Sequence, residues 1–336
     1  MTYAKAGVDI DRKSESVAAL VGQLGFARSG VGSPLKLEGH YAGLIDFGSL
    51  ALTLCTDGVG TKLIVANQMK KWDTVGVDCI AMNVNDTICL GAEPIAFVDY
   101  LAMDRPNEDI TSQIGVGLEK GAKMANVTIV GGEIAILPEI VTGFDLAGTC
   151  LGLVDKSRIV TGEAIRPGDV LVGLPSTGIH SNGLTLARKI IEESGLSMAS
   201  EVEGLSRDIG SELLEPTAIY VEEVVKLVAD HDVRGMANIT GGGLRNLLRL
   251  SRSVGFEVTE PMPTNPIFAV LQELGGVTDH EMYQTFNMGM GFSLVVSEDE
   301  GDDVVKAVGA GARIVGRAVE GRGVRVPPLD LEYVAY

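Results

Sequence analysis

Residues 52–66 read LTLCTDGVGTKLIVA: an apolar strand runs into an acid, two glycines, a threonine and a lysine, and apolar residues resume at once. A carboxylate at a strand end, beside small residues and a lysine, suits a metal ion held next to a phosphate. A hard cation such as Mg²⁺ takes carboxylate oxygens and exchanges its waters for phosphate oxygens. Gly58 and Gly60 would let backbone approach a ligand closely, and the ammonium of Lys62 is a compact charge suited to phosphate. The same residues also read as a tight turn between a strand and a helix. They are not a P-loop, because the spacing G-x-x-x-x-G-K-[ST] is absent here and elsewhere.

Outward from this stretch the periodicity alternates between helix and strand. Val77, Ile80, Ala81, Val84 and Ile88 recur at helical spacing, with Asp78, Met82, Asn85 and Asp86 on the other face, and PIAFVDYLAMD (94–104) follows as a strand. Ile110, Ile114, Leu118 and Ala122 predict a helix over 109–125. NVTIVGGE (126–133) reads as a short buried strand ending in two glycines and an acid, and DLAGTCLGLVD (145–155) closes this half. The half therefore offers Asp57, Asp86, Asp99 and Glu133 as candidate ligands of a Mg-nucleotide, each with an alternative reading as a turn or surface acid. GVGLEKG (115–121) has one residue too many for a dinucleotide fingerprint and follows a polar, helical stretch, so a Rossmann reading is set aside.

The 336 residues exceed what one hydrophobic core usually serves, so two domains are expected. The boundary falls at TGEAIRPGD (161–169), giving an N-terminal unit over 1–160 and a C-terminal unit over 168–336. In the second unit DVLVGLPSTGIHSNGLTLARKIIEES reads as strand, small-residue loop and helix, and GMANITGGGLRNLLRL repeats the pattern less cleanly. Strand, helix and strand follow over 291–319, with Ser297 and Glu300 at capping-box spacing. Loops of small residues that enter helices present unpaired N–H groups to anions, so PSTGIHSNG and TGGG (240–243) are candidate phosphate loops. His180 could donate a hydrogen bond to a phosphoryl oxygen or pass a proton; a satisfied structural histidine is the alternative. Met288 and Met290 read as core.

Charge narrows the partners. With 45 acidic and 27 basic residues the net charge is −18 and no basic run occurs, which argues against nucleic acid and anionic membranes. Cys55, Cys79, Cys89 and Cys150 lie in apolar stretches without CxxC spacing, as expected of buried free thiols in a reducing compartment. Without a signal peptide or an 18-residue apolar span, the cytoplasm is the expected location.

The blocks YAKAGVDID (3–11), TDGVGTKL, DTVGVDCIAMNVNDTICLGAEPIAFVDYLA, IVGGEIAILP, DLAGTCLGLVDKSRI, HSNG, LLEPTAIYV, ITGGG and HEMYQTFNMGMG occur in this order along nearly the whole chain. Together they make it similar to the aminoimidazole ribonucleotide synthetases, the phosphoribosylformylglycinamidine cyclo-ligases of purine biosynthesis. The resemblance implies two α/β domains of the synthetase-like superfamily, with the N-terminal sheet pairing across a homodimer into a β-barrel and the C-terminal domain an α/β sandwich. It implies ATP-dependent closure of formylglycinamidine ribonucleotide to 5-aminoimidazole ribonucleotide through an iminophosphate, with ADP and phosphate released.

Residue by residue, the resemblance implies that Asp57, Asp86 and Glu133 hold Mg²⁺, with Gly131 and Gly132 leaving room beside them. It implies that Gly58, Gly60, Thr61, Lys62, Asn85 and Lys5 contact ATP or its phosphates, Lys5 from a flexible N-terminal lid. Ser181, Asn182, Gly241, Gly242 and Asn287 match substrate-binding positions, while His180, Lys62 and Asp57 match catalytic ones. The chain departs from the family pattern at IAILPE after the GGE, in TGGGLRNLLR, at Gln284 and Met288, and in the glycine-poor EGHYAGLIDFG, all of which bear on the substrate wall. Thiamine-phosphate kinase would share the ATP end without needing HEMY-x-TFN. A selenophosphate synthetase would carry a reactive cysteine near its start, and a hydrogenase-maturation dehydratase would end in cysteine. A non-catalytic nucleotide-binding scaffold has no chemical need for Asp57, Lys62, Asp86, Glu133 and His180 together.

Overall fold

A computed structural model describes residues 10–37, 39–309 and 311–335. The first half comprises α1 (Ile10–Val21), β1 (Pro34–Leu35), β2 (Gly43–Phe47), β3 (Leu50–Gly58), α2 (Lys62–Met69), α3 (Val75–Ile88), β4 (Glu93–Met103), α4 (Glu108–Ala125), β5 (Thr128–Ile136) and β6 (Phe144–Asp155). Its six strands pair in the order β1-β2-β3-β6-β4-β5, antiparallel except for β4 beside β5, where α4 makes the crossover that parallel neighbours require. Residues at alternate positions of β6, from Phe144 to Val154, are buried under α3, while those between them point to the other side.

That other side is open. Phe47, Leu54, Val98 and Tyr100 lie on it by register and are between 39 % and 50 % exposed, an apolar face without a cover among the described residues. β5 differs from its sequence reading. It is an exposed edge strand and does not stop at the glycines, because pairing with β4 satisfies its backbone through Glu133 to Ile136. α3 and α4 pack backbone to backbone: a β-carbon on Gly76 would lie 2.3 Å from the Leu118 nitrogen, and one on Gly117 2.5 Å from the Asp73 oxygen.

The second half runs β7 (Val170–Pro175), α5 (Leu184–Glu193), α6 (Ile209–Leu213), α7 (Val221–Asp230), β8 (Gly235–Asn238), β9 (Val254–Val258), α8 (Pro266–Gly275), α9 (Asp279–Thr285), β10 (Met290–Val296), α10 (Gly301–Val308), β11 (Arg313–Glu320), β12 (Val324–Val326) and β13 (Leu331–Tyr333). Seven strands pair in the order β13-β12-β9-β11-β7-β10-β8, with β12 and β9 the parallel neighbours. β7, β8 and β10 are buried almost throughout. The chain is thus two mixed α/β domains, and one continuous apolar core joins them.

Two local readings change. The TGGG loop leads into a 3₁₀ helix, Gly243–Arg249, not an α-helix. Ser297 makes no side-chain capping bond, and the Glu300 carboxylate pairs instead with His231 Nδ1 at 2.7 Å. All four cysteines are free and buried, and Met288 and Met290 are core.

Candidate active site

The polar face of α3 is what the two domains close on. Asp78 and Asn85 are wholly buried, and their partners come from residues 215–220 of the second domain. Asp78 Oδ1 accepts from Thr217 N–H at 2.8 Å, Thr217 Oγ1 at 2.6 Å and Lys62 Nζ at 2.9 Å. Asn85 donates to the Ala218 carbonyl at 2.8 Å and accepts from Tyr220 N–H at 3.1 Å. Buried groups of this kind cost several kcal/mol when unbonded, and here Lys62 and the segment EPTAIY supply bonds to Asp78 Oδ1 and to Asn85, while Asp78 Oδ2 is buried without a partner.

At one end of this seam stands Asp57, exposed on the penultimate residue of β3. Its position is fixed through its backbone: the Asp57 N–H donates to Asn83 Oδ1 at 2.9 Å, and Asn83 Nδ2 returns a bond to the Asp57 carbonyl at 3.2 Å. Asp57 and Asp99 both stand opposite Gly148, so their carboxylates share the helix-covered side of the sheet. A β-carbon on Gly132 would meet Asp99 Oδ1 at 2.5 Å, which explains the second glycine of GGE without a ligand. Asp86, on α3, accepts from Asn238 Nδ2 at 2.8 Å. Burial pushes its carboxyl up to about 7; the Asn238 bond opposes this, the negative charge of Asp57 adds to it, and the Arg249 guanidinium opposes it.

The charges of Asp57 and Asp86 therefore act on one another. Among the described residues no three His, Cys, Asp or Glu side chains converge closely enough to hold a metal. A pair of carboxylates fits Mg²⁺, which is commonly bound through one or two carboxylates, with water and phosphate oxygens completing its shell.

Four expectations change. Glu133 pairs with Tyr100 one residue on from the Asp57–Gly148–Asp99–Gly132 row, so it points to the open side of the sheet, away from Asp57 and Asp86. Lys62 is completely buried, its Nζ bonded to Asp78 and at 2.6 Å to the Glu215 carbonyl, so it does not face a phosphate. Burial pushes that ammonium below its ordinary basicity, and the charge of Asp78 opposes the shift. Asn85 and Asn287 spend their amides inside the protein: Asn287 donates to the Gly178 carbonyl at 2.9 Å and accepts from Gly289 N–H at 3.0 Å. Lys5 lies outside the described residues.

The loop from Ser176 to Gly183 faces the first domain. Thr61, just before α2, and Thr185, in the first turn of α5, touch through their hydroxyls at 3.0 Å, so DGVGT and HSNGLT adjoin. His180 holds this loop from inside. Its Nε2 accepts from Thr177 N–H at 3.2 Å and Ala218 N–H at 3.4 Å, which leaves the ring proton on Nδ1. Burial, with the positive charge of Lys62 nearby, pulls the imidazole down to about 3, so it is neutral near pH 7. Its backbone is left-handed, φ 62°, a conformation that a non-glycine residue keeps only where the surroundings impose it.

Ser181 shares a hydroxyl bond with Thr217 at 3.2 Å and is buried. Asn182 is half-exposed, and a β-carbon on Gly241 would sit 3.0 Å from its Oδ1, so HSN and TGG meet there. Gly242 is buried with φ 122° before the 3₁₀ helix. Gly58, Gly60, Thr61, Asn182 and Gly241 thus retain exposed or half-exposed surface along the seam. Sequence reading missed Asn83, Asn238 and Thr217 as supports. The seven-residue interval from Asp78 to Asn85, two turns on one helix face, was the available signal.

Comparison with known proteins agrees with this arrangement. The N-terminal domain model of AIR synthase related proteins matches residues 39–154, and the C-terminal domain model matches 166–327. The phosphoribosylformylglycinamidine cyclo-ligase of Methanococcoides burtonii is 53 % identical over 332 residues, 98 % of each chain. That of Methanocaldococcus jannaschii is 48 % identical over 325 residues, 95 % of this chain and 93 % of the relative. Among solved structures, thiamine monophosphate kinase from Aquifex aeolicus superposes with a TM-score of 0.64 at 16 % identity, covering 95 % of this chain and 97 % of that one. The hydrogenase maturation protein HypE in complex with ATP gives 0.64 at 18 % identity, covering 96 % and 94 %. At that identity the two structures share the fold alone, but the cyclo-ligases match along nearly their whole length, and this chain belongs to the phosphoribosylformylglycinamidine cyclo-ligase family.

Proposed function

We infer that this chain uses ATP to close the imidazole ring of 5-aminoimidazole ribonucleotide from formylglycinamidine ribonucleotide, releasing ADP and phosphate. The observation that carries the reading is near-full-length identity of 48–53 % to cyclo-ligases. In the reaction the formyl oxygen attacks the γ-phosphorus of ATP, and the bond to ADP breaks. The amidine-derived nitrogen then attacks the activated carbon, and the C–O bond breaks with phosphate as leaving group. Phosphorylation converts a poor oxygen leaving group into a good one, so the protein's contribution is positioning and charge neutralisation.

Asp57 and Asp86 are the residues that would hold Mg²⁺, which when bound neutralises charge on the phosphates. Gly58, Gly60 and Thr61 bring backbone to the nucleotide at the exposed end of β3. Asn182 and Gly241 face the substrate across the seam. His180 acts as a positioning residue: neutral, with Nε2 engaged by two backbone N–H groups, it holds the Ser176–Gly183 loop against residues 215–220. Lys62 serves the same segment through the Glu215 carbonyl. The units over 1–160 and 168–336 divide the work, nucleotide on the first and substrate on both.

The apolar open face of the first sheet favours a homodimer with the two sheets face to face, since a patch of that kind marks an interaction surface. Sedimentation should give twice 35.3 kDa, and a monomer mass at micromolar concentration would exclude the pairing. The described residues contain no helix long and apolar enough to cross a membrane, and the cytoplasm is the compartment this activity suits. The deciding experiment is ADP and aminoimidazole formation by the purified chain with Mg-ATP. Equal amounts formed only with formylglycinamidine ribonucleotide support the reading, and ADP release indifferent to that substrate overturns it.

A further inference from the structure

The four free thiols take no part in the chemistry above, yet two of them face each other. Cys55 on β3 stands directly opposite Cys150 on β6 in the antiparallel register. Residues paired in this way have α-carbons about 4.5–5.5 Å apart and side chains on the same face. A disulfide spans about 4.4–6.8 Å between α-carbons, so the two strands already stand at bridging distance. The other two thiols do not form such a pair. Cys79 lies in the first half of α3 and Cys89 at its C-terminal cap, about 15 Å along the helix axis, and Cys89 Sγ donates to the Asn85 carbonyl of the same helix at 3.3 Å.

The facing pair sits beside the acid. Its rung of the ladder lies two residues from the rung that pairs Asp57 with Gly148. Cys55 Sγ donates to the Asn83 carbonyl at 3.0 Å and lies 3.2 Å from Thr87 Oγ1, which donates to the same carbonyl at 3.0 Å. Asn83 is also the residue whose carboxamide clamps the Asp57 backbone. A sulfur in a disulfide carries no proton to donate, so oxidation of Cys55 removes one bond from the residue that holds Asp57. Cys55 keeps 9 % of its surface and Cys150 none, so a small oxidant meets Cys55 first.

We propose that Cys55 and Cys150 are a site of reversible oxidation, and that a hydroperoxide oxidant closes them into a disulfide that weakens metal binding at Asp57. One hydrogen peroxide converts the Cys55 thiol to a sulfenic acid and leaves as water. The Cys150 sulfur then attacks the Cys55 sulfur: the S–S bond forms, the S–O bond breaks, and the hydroxyl departs as a second water with the Cys150 proton. Two thiols lose two electrons and the peroxide gains them. A dithiol reverses the bridge by exchange. The loss of turnover that follows rests on the cyclo-ligase reading; the bridge and its effect on the metal do not.

The test exposes the full chain to one equivalent of hydrogen peroxide, alkylates the remaining thiols in denaturant and maps the peptides by mass spectrometry. The expected product is a single bridge between the peptides of Cys55 and Cys150, with Cys79 and Cys89 alkylated. Electron paramagnetic resonance with Mn²⁺ alone, standing in for Mg²⁺, reads the metal site without substrates. The bridged chain should bind Mn²⁺ about tenfold or more weakly, as loss of outer support for a metal ligand implies, with kcat/KM falling in parallel. Dithiothreitol should restore both. Cys150→Ala should match the reduced wild type before peroxide and keep its Mn²⁺ affinity afterwards; Cys150→Ser replaces it if the alanine variant fails to fold. A bridge that forms only after unfolding in urea overturns the proposal. So does a bridge that leaves Mn²⁺ affinity unchanged, or an equal loss of affinity in the Cys150 variant. A bridge that weakens Mn²⁺ binding in a chain without turnover of formylglycinamidine ribonucleotide would uphold the oxidation site and overturn the cyclo-ligase reading.

Discussion

Lys62 and Asp57 stand five residues apart in the same TDGVGTK stretch, yet the fold gives them opposite circumstances. Lys62 is shut inside, between Asp78 and the Glu215 carbonyl. Asp57 is exposed: its backbone is clamped by two bonds to Asn83, and its Oδ1 accepts from Gly58 N–H at 2.7 Å. Both are polar residues in a glycine-rich turn, and residue type does not tell them apart. What separates them is burial, since a buried ion pair needs its partners inside and an exposed carboxylate keeps solvent within reach. Lys62 belongs to the architecture that holds the domains together; Asp57 is the one we propose for the chemistry.

Four experiments would break or sharpen that contrast. Lys62→Met strands the buried Asp78 carboxylate and should cost about 3–5 kcal/mol of stability, read as a fall in the urea midpoint. Pairing it with Asp78→Leu should recover part of the loss, and a singly substituted chain of wild-type stability would return Lys62 to the ligand side. Asp57→Asn should lower kcat/KM by about 10²–10³-fold with the melting temperature within about 2 °C of wild type, because a metal ligand is lost at constant volume. Full turnover under limiting Mg²⁺ would remove Asp57 from the site.

His180 gives a smaller, pH-dependent effect. The folded ring titrates at about 3, while the unfolded chain binds its proton near ~6.5, so the unfolded state gains a proton first as pH falls. Stability should drop between these values by up to about 1.4 kcal/mol per pH unit, with no contribution above the upper one. His180→Gln should flatten that part of the urea-midpoint profile, and parallel profiles would mean the ring is protonated in the fold. Smallest of all, Glu133→Gln should shift stability by no more than about 0.5 kcal/mol and leave the Mg²⁺ requirement of the reaction unchanged. A raised Mg²⁺ requirement would put Glu133 back beside Asp57.

Much of this was legible in the chain itself. Alternation of helical and strand periods and the ordered family blocks determined the two-domain class and the strand that carries Asp57 near its end. These are local signals, set by the side-chain periods of 3.6 and 2. Which polar residues remain open to a ligand is a different kind of fact. Glu133 left the acid pair because sheet register places neighbouring residues on opposite faces, and register is settled by pairing with β4. Lys62 and Asn85 left the ligand set because a second domain, distant in sequence, arrived to bond them, and Asn287 because the Ser176–Gly183 loop of its own domain did. His180 kept its loop but lost its charge to burial. The sequence by itself determined the fold class and the identity of the acid at the strand end; only the tertiary structure decided which side chains the protein consumes, because hydrogen bonding and desolvation depend on what packs against them.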